Sequence, residues 1–180
     1  MGRRLAAVAA AAGALLALAP AAGAAGSVTE RDALERKAVS RLNAVRRSHG
    51  LRPLEVAPRL ASAAERHAAS MARRSYFRHE LYTPERTADW TAFGRWIRWF
   101  WPGPGYSSWS AGENLAWGAP GIGARETVRR WLASPGHRAN VLNAGWRHVA
   151  VAAVHVRRPR GDYGSWDDVT IVVAEFGRRR

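Results

Sequence analysis

Apolar residues recur at helical spacing in three segments of the chain. Residues 29–48 begin with Thr29 as an N-cap candidate, and apolar positions then follow three or four residues apart. Residues 58–74 repeat this spacing after an initial proline, and residues 124–133 repeat it before the Ser134-Pro135-Gly136 break. The spacing predicts three amphipathic helices, each packed by one face.

The last third of the chain carries two β-rich runs. Residues 148–156 are rich in valine, and residues 169–176 are almost continuously apolar, as in a strand that is buried on both faces. Residues 157–168 between them contain proline and glycine and suit a hairpin loop. Residues 81–111 follow no simple period, which predicts a short helix and then a loop. Helices mixed with strands in this order predict an α+β fold with one sheet covered by helices.

The amino terminus has the three parts of a secretory signal peptide. Arg3 and Arg4 precede an apolar run, and the small residues Ala22-Gly23-Ala24 then fit a cleavage site. We therefore expect residues 1–24 to be a signal peptide and residues 25–33 to lead into a secreted domain. No other segment has the length and apolarity to span a bilayer, so no transmembrane span is expected after cleavage.

Composition narrows the choice of partners. The 180 residues include 28 Lys and Arg against 14 Asp and Glu, which gives a formal net charge of +14. The arginines form no stripe that would follow a phosphate backbone, so a nucleic-acid partner is disfavoured. A diffuse positive field suits an anionic wall polymer or membrane surface better. Cysteine is absent, which excludes disulfides, thiolate nucleophiles and zinc fingers.

Candidate chemistry rests on histidines and acids, because the chain lacks the usual nucleophile, phosphate-loop and HExxH motifs. His79, Glu113 and His137 fall near predicted element ends, where we expect loops. Two imidazoles and a carboxylate on separate loops can form an open site for Zn²⁺ or another divalent cation. The alternative is that these histidines are solvated or bonded to the backbone.

Seven short strings in a fixed order carry a resemblance to a known family. They are Leu42-Asn43-Ala44-x-Arg46, Gly50-Leu51-x-Pro53-Leu54, Ala63-Ala64-x-x-His67-Ala68-x-x-Met71-Ala72, Tyr76-Phe77-x-His79, Gly112-Glu113-Asn114-Leu115-Ala116-x-Gly118, Trp131-x-x-Ser134-Pro135-Gly136-His137-Arg138-x-Asn140-Val141-Leu142 and Glu175-Phe176-Gly177. Their ordered occurrence over nearly the whole predicted mature chain resembles the CAP superfamily (cysteine-rich secretory proteins, antigen 5, pathogenesis-related 1), in its short cysteine-free bacterial branch.

The resemblance implies a three-layer α-β-α sandwich over residues 34–177, with an antiparallel sheet covered by helices and a basic tail at 178–180. It also implies an extracellular setting and a cleft in which several relatives bind a divalent metal. On this basis His79, Glu113 and His137 line the cleft, and His79 and His137, with Glu113 as a further candidate, hold the ion. Ser134 stands where many relatives carry a second glutamate, which weakens the expected affinity for metal.

Each of the other candidate residues has a favoured interpretation, and some of them also have an alternative. His67 lies on the apolar stripe of its helix, which favours a satisfied core histidine over a ligand, and its proximity in sequence to His79 leaves a supporting role as a further alternative. Glu175 is predicted to be structural, and Asn114 to fix the loop around Glu113. Trp96, Trp99 and Trp101 form either an exposed surface for cell-envelope material or a satellite core beneath a long loop.

These observations predict a secreted binding module for lipid, anionic cell-envelope polymer or a protein partner. The alternative is a metal-assisted hydrolase of peptide, ester or glycan that uses the same cleft. The sequence favours the binding module, because no second acid is evident for proton transfer if Glu113 is a metal ligand.

Overall fold

The computed structural model describes residues 28–84 and 90–180, so the predicted signal peptide lies outside the described residues. Helices and strands alternate along the described chain. The strands are β1 (Val28–Glu30), β2 (Glu55–Val56), β3 (Leu81–Tyr82), β4 (Trp90–Thr91), β5 (Trp109–Gly118), β6 (His148–Arg157) and β7 (Asp168–Arg179). The helices are α1 (Asp32–Ser48), α2 (Pro58–Arg74), α3 (Phe93–Trp96), α4 (Ala124–Ala133) and α5 (Pro135–Val141).

The main sheet runs in the order β1-β6-β7-β5, with neighbours along this path antiparallel. The short strand β2 pairs with the start of β6 in parallel, on the same edge that β1 occupies further along. Strand β5 has β7 as its neighbour, and its other side forms the opposite edge of the sheet. A separate two-stranded sheet joins β3 to β4.

Helices cover both faces of the main sheet, so the fold is the predicted three-layer α-β-α sandwich. On one face, α1, α4 and α5 enclose a core that includes Leu42, Trp131 and Phe176. On the other face, α2 encloses a core that includes Met71 and Val173. The alternation of side chains along β6 and β7 supplies both cores, because successive residues of a strand point to opposite faces.

Most predicted elements are confirmed, and one helix start is wrong. Helices 58–74 and 124–133 have the predicted bounds, and the two β-rich runs form β6 and β7. Thr29 is not an N-cap, because it lies in β1, where it pairs with His155. Helix α1 begins instead at Asp32, without a side-chain hydrogen bond at its flanking residue Arg31.

The aromatic segment forms a buried satellite core, so the predicted surface role is wrong for two of its tryptophans. Trp96 and Trp101 are fully buried against α2 residues such as Leu60, and Trp99 is half-buried beside them. The Trp96 Nε1 donates to the carbonyl of His79 at 3.1 Å. These rings belong to the connection between β4 and β5 and pack it against α2, because large apolar area is stabilising when it is removed from water.

The carbonyl groups on the open edge of β5 are bonded by side chains. Ser108 and Arg180 exchange both backbone hydrogen bonds, so the alternate residues of β5 turn their carbonyls away from β7. Asn140 donates to the Glu113 carbonyl at 3.1 Å, Trp131 to Leu115 at 3.0 Å and Arg130 to Trp117 at 2.9 Å. Helices α4 and α5 are thereby fixed against this edge.

A buried arginine joins α1 to the loop after α5. Arg46 is fully buried, and its guanidinium donates to the carbonyls of Arg52, Val141 and Asn143 at 3.0, 2.8 and 3.0 Å. Burial, together with the nearby charge of Arg147, lowers its pKa from the ordinary value. The three carbonyls compensate the charge by hydrogen bonding, because charged donors form the stronger bonds.

Candidate functional site

Glu113 stands at the centre of the candidate site. It lies within β5 and not on a loop, which corrects the sequence-based placement. The apolar residues after it continue the strand, and Gly112 before it is required by packing, because a side-chain carbon there would lie 2.9 Å from Asn140 Oδ1 and from Trp146 Cζ2. The Glu113 side chain points to the α2 face and is almost fully buried.

His79 reaches Glu113 from the segment after α2. Helix α2 ends at Ser75, which adopts a left-handed conformation with φ of 57°, and the chain then turns towards the edge of β5. The Nδ1 of His79 lies 2.7 Å from Oε1 of Glu113, and 52% of the His79 side chain is exposed. The carboxylate thus fixes the imidazole by one nitrogen and leaves the ring open to solvent.

His137 reaches the same place from the opposite face of the sheet. It lies in α5 and not on a turn, because Pro135 occupies the first turn of that helix and starts it. The ring centroids of His79 and His137 are 6.4 Å apart. The structure therefore brings the three predicted residues together at the edge of β5, with the two imidazoles outermost.

Asn114 holds His137 in position. Its Nδ2 donates to the His137 carbonyl at 3.0 Å, and its Oδ1 accepts from Asn140 Nδ2 at 2.9 Å. Asn114 is fully buried, so both bonds are shielded from water. The sequence predicted that Asn114 fixes a loop around Glu113, whereas in the structure its side chain forms hydrogen bonds across the gap between β5 and α5.

We expect Asn114→Ala to lower the free energy of unfolding by about 1–3 kcal/mol, because it removes both hydrogen bonds of a fully buried amide and leaves the His137 carbonyl without this donor. Urea unfolding followed by circular dichroism measures this loss. Ser110→Ala is the matched control, since Ser110 is exposed on the same side of the same strand. Equal losses in the two variants would contradict the role of Asn114.

Two residues that the sequence did not place in the site complete it. His67 of α2 lies with its Nδ1 2.5 Å from Oε2 of Glu113, and Glu175 of β7 is the direct cross-strand partner of Glu113. Both are fully buried. The available signal was chemical, because a histidine within an apolar stripe and a glutamate within an apolar strand both require a buried polar partner.

Burial and charge move the pKa values of these groups in opposite directions. Burial alone would raise the pKa of Glu113, but the hydrogen bonds to His67 and His79 more than offset it and hold that pKa below its ordinary value. Burial, reinforced by the charge of Glu113, raises the pKa of Glu175 well above its ordinary value. The hydrogen bonds therefore favour the ionised form of Glu113, whereas burial favours the protonated form of Glu175.

The two exposed imidazoles also differ. The hydrogen bond to Glu113 raises the pKa of His79, against the opposing effect of partial burial. Burial, together with the nearby positive charge of His79, lowers the pKa of His137. The edge of β5 consequently presents one imidazole whose pKa shift favours the cation and one whose pKa shift favours the neutral base.

The predicted metal ligands do not gather into one compact donor set. Over residues 28–84 and 90–180, the group of three acids or histidines whose donor atoms lie within 4.8 Å of one another is His67, Glu113 and Glu175. His79 and His137 are outside this group, and Ser134 supplies no carboxylate. An ion held by His79 and His137 stays a prediction from the sequence.

A separate groove of about 870 Å³ lies between the starts of α1 and α4. Its lining includes four cationic side chains and two acidic ones: Arg31, Lys37, Arg41, Arg125, Asp32 and Glu126. None of the three predicted cleft residues lines it. The groove is a second cationic surface on the face of the molecule covered by α1 and α4.

Comparison with known proteins identifies the family. Residues 39–176 match the family model described as CAP, cysteine-rich secretory protein family. The chain belongs to this family. The matched residues include His67, His79, Glu113, His137 and Glu175, so every residue of the site lies within the family domain.

Individual relatives agree with this assignment. The chain is 33% identical over 123 residues to the uncharacterized protein YkwD of Bacillus subtilis, which covers 68% of this chain and 43% of that protein. The chain thus spans less than half the length of this curated relative.

Solved structures share the fold. An outer surface protein of Borrelia burgdorferi has a TM-score of 0.66 at 20% identity and covers 86% of this chain and 99% of its own. An extracellular protein of Bacillus anthracis that contains an SCP domain has a TM-score of 0.60 at 22% identity, over 82% of this chain and 41% of its own. Within the described part of this chain, no helix is long and apolar enough to cross a membrane.

Proposed function

We propose that the chain is an extracellular binding module that captures an anionic group of a cell-envelope polymer in the cleft formed by His79, Glu113 and His137. The observation that carries this proposal is the bond between buried Glu113 and exposed His79. It holds a ring that favours the cation at the mouth of the cleft, where an anionic ligand can accept a charged hydrogen bond.

The surroundings of His79 support an anionic ligand. Arg78 precedes it, and the Arg78 guanidinium lies 4.4 Å from the centroid of the exposed Trp90 ring. Arg78 thus adds one cationic group next to His79 in the sequence, and Glu80 adds one acidic group on its other side. The formal net charge of +14, or 14 − 2 = +12 without the two arginines of the predicted signal peptide, adds a long-range attraction for polyanions. The predicted signal peptide and the extracellular or outer-surface description of two structural neighbours support an envelope location.

Binding of poly(glycerol phosphate), a phosphodiester polymer, tests the proposal by calorimetry. We expect His79→Gln to weaken binding about tenfold or more, since one charged hydrogen bond contributes about 1.5–3 kcal/mol. His137→Gln should weaken binding less, because its imidazole favours the neutral form and a neutral hydrogen bond contributes about 0.5–1.5 kcal/mol. His49→Gln is the matched control, because His49 is an exposed histidine after α1. Neutral dextran should not bind. Equal affinities in the wild type and all three variants would overturn the proposal.

A hydrolase is the second candidate. The opposed pKa shifts of His79 and His137 favour it, because a protonated and a neutral imidazole side by side can act as general acid and general base. Incubation with peptide, ester and glycan substrates tests this role. Turnover that is abolished in His137→Gln would favour catalysis, whereas polymer binding without turnover would favour the binding module.

A further inference from the structure

A compact cluster of potential metal ligands lies beneath the cleft. His67 from α2, Glu113 from β5 and Glu175 from β7 place their donor atoms within 4.8 Å of one another. All three side chains are buried, and the ring of Trp96 closes over His67 at a centroid distance of 5.0 Å. Three rigid elements therefore hold the cluster: one helix and the two neighbouring strands of the sheet.

The cluster has polar atoms without partners. Over the described residues, both carboxyl oxygens of Glu175 and the Nε2 of His67 lack a hydrogen-bond partner. An unpaired polar group in the protein interior costs about 1–3 kcal/mol, and more for a charged group. Glu113 and Glu175 also face each other directly across the β5–β7 pair, where two ionised carboxylates would repel each other. A cation bound by both carboxylates would give the Glu175 oxygens a partner and offset this repulsion.

We propose that His67, Glu113 and Glu175 form a buried site for a divalent transition-metal ion, with Zn²⁺ as the best match. One imidazole nitrogen and two carboxylate oxygens are ligands that Zn²⁺ accepts at about 2.0–2.2 Å, with a fourth position left for water. The dication neutralises the two facing carboxylates. Ca²⁺ and Mg²⁺ fit less well, because they require six or more oxygen ligands or several retained waters.

The donor spacing suits this ion after small rotations. Two ligands of a tetrahedral zinc ion lie about 3.4 Å apart, as follows from bonds of about 2.0–2.2 Å and the tetrahedral angle. The donors of this cluster lie within 4.8 Å, so rotation of the carboxylates can close the difference. The His67 Nδ1 and Glu113 Oε2 must separate from 2.5 Å to admit the ion between them.

Glu113 connects the buried site to the cleft. Its Oε2 faces His67, whereas its Oε1 bonds His79. An ion held on Oε2 would fix the carboxylate and, through Oε1, the orientation of His79. The site itself stands independently of polymer binding, and only this consequence for His79 rests on the proposed function.

Zinc stoichiometry of the intact protein tests the site. After equilibration with Zn²⁺ and gel filtration, elemental analysis should find one ion in the wild type and in His137→Gln. We expect at least hundredfold weaker binding in His67→Gln and Glu175→Gln, because each removes one of three protein ligands. Zn²⁺ should raise the melting temperature of the first two proteins and leave that of the last two unchanged. Circular dichroism confirms that each variant is folded.

The alternative outcomes overturn the buried site in distinguishable ways. Loss of zinc in His137→Gln with retention in Glu175→Gln would place the ion between His79 and His137. Equal zinc in all four proteins would mean adventitious surface binding. No zinc in any of the four proteins would mean that a proton on Glu175, and not a metal ion, removes the repulsion between the carboxylates of Glu113 and Glu175. The calorimetric polymer assay is carried out without metal, so its result does not depend on whether the zinc site exists.

Discussion

Glu113→Gln is expected to weaken binding of the anionic polymer about tenfold or more while the fold is retained. Glutamine has the same shape, so the packing beneath β5 is preserved, but its amide cannot supply the negative charge that holds His79. A hydrogen bond to an ionised partner is roughly twice as strong as a neutral one. His79 therefore loses both its fixed orientation and the group that favours its cationic form.

The same variant should change the pH dependence of binding. The Glu113 carboxylate raises the pKa of His79, so in the wild type the imidazolium persists to higher pH. Binding should decline as the pH rises through the pKa of His79, and this decline should occur at lower pH in Glu113→Gln. NMR titration of the His79 ring, without added metal, measures the pKa directly. The groups that face Glu113 are His67, His79 and Glu175.

Glu126→Gln provides the matched control for this experiment. Glu126 lies on α4, where it pairs with Arg129 and Arg130 at 2.6 and 2.8 Å, outside the cleft. We expect its loss to leave both the His79 pKa and polymer binding unchanged. A titration curve for His79 that is identical in the wild type and Glu113→Gln would show that the carboxylate does not control this imidazole.

Arg46→Met is expected to lower the free energy of unfolding by about 3–5 kcal/mol. Methionine fills much of the same volume, but the carbonyls of Arg52, Val141 and Asn143 lose their charged donor. Hydrogen bonds from charged groups contribute about 1.5–3 kcal/mol each, and the contributions of neighbouring bonds are not fully additive. The link between α1 and the loop after α5 would be broken.

Urea unfolding measures this loss, with Arg47→Met as the control. Arg47 is the next residue along α1 and is exposed, so its replacement should change stability by no more than about 0.5 kcal/mol. The free energy of unfolding of Arg46→Lys should lie between those of Arg46→Met and Arg47→Met, because one ammonium group retains the charge but cannot reach three carbonyls in a planar arrangement. Equal stability of Arg46→Met and Arg47→Met would refute the anchoring role.

Periodicity was sufficient to predict the regular part of the fold. The apolar stripes of α2 and α4 predicted both helices to the residue, because each helix packs one face on a neighbour. The predicted helix start at Thr29 was wrong, because the start signal is local, whereas the pairing of Val28–Glu30 with β6 is a tertiary contact. The predicted loop at Glu113 was also wrong, because a Gly-Glu-Asn string is typical of a loop unless a neighbouring strand is known to pair with it.

The sequence predicted the outer residues of the site but not the buried residues beneath them. His79, Glu113 and His137 follow from the family motifs, whereas the meeting of His67 and Glu175 depends on the β5–β7 register and on the position of α2. Neither is visible in linear spacing. Trp96 and Trp101 show the same limit, because exposure and burial of an aromatic segment depend on which helix it meets.

The hydrogen-bonded carbonyls along the edge of β5 also affect the tendency of this protein to aggregate at high concentration. An open strand edge is a template for pairing with a second molecule, and such pairing leads to aggregation. Asn140, Trp131 and Arg130 occupy the acceptors that an incoming strand would need, while β1 at the other end of the sheet has only three residues. A cysteine-free chain without disulfide protection thereby resists growth into intermolecular sheets through the same contacts that hold α4 and α5 in place.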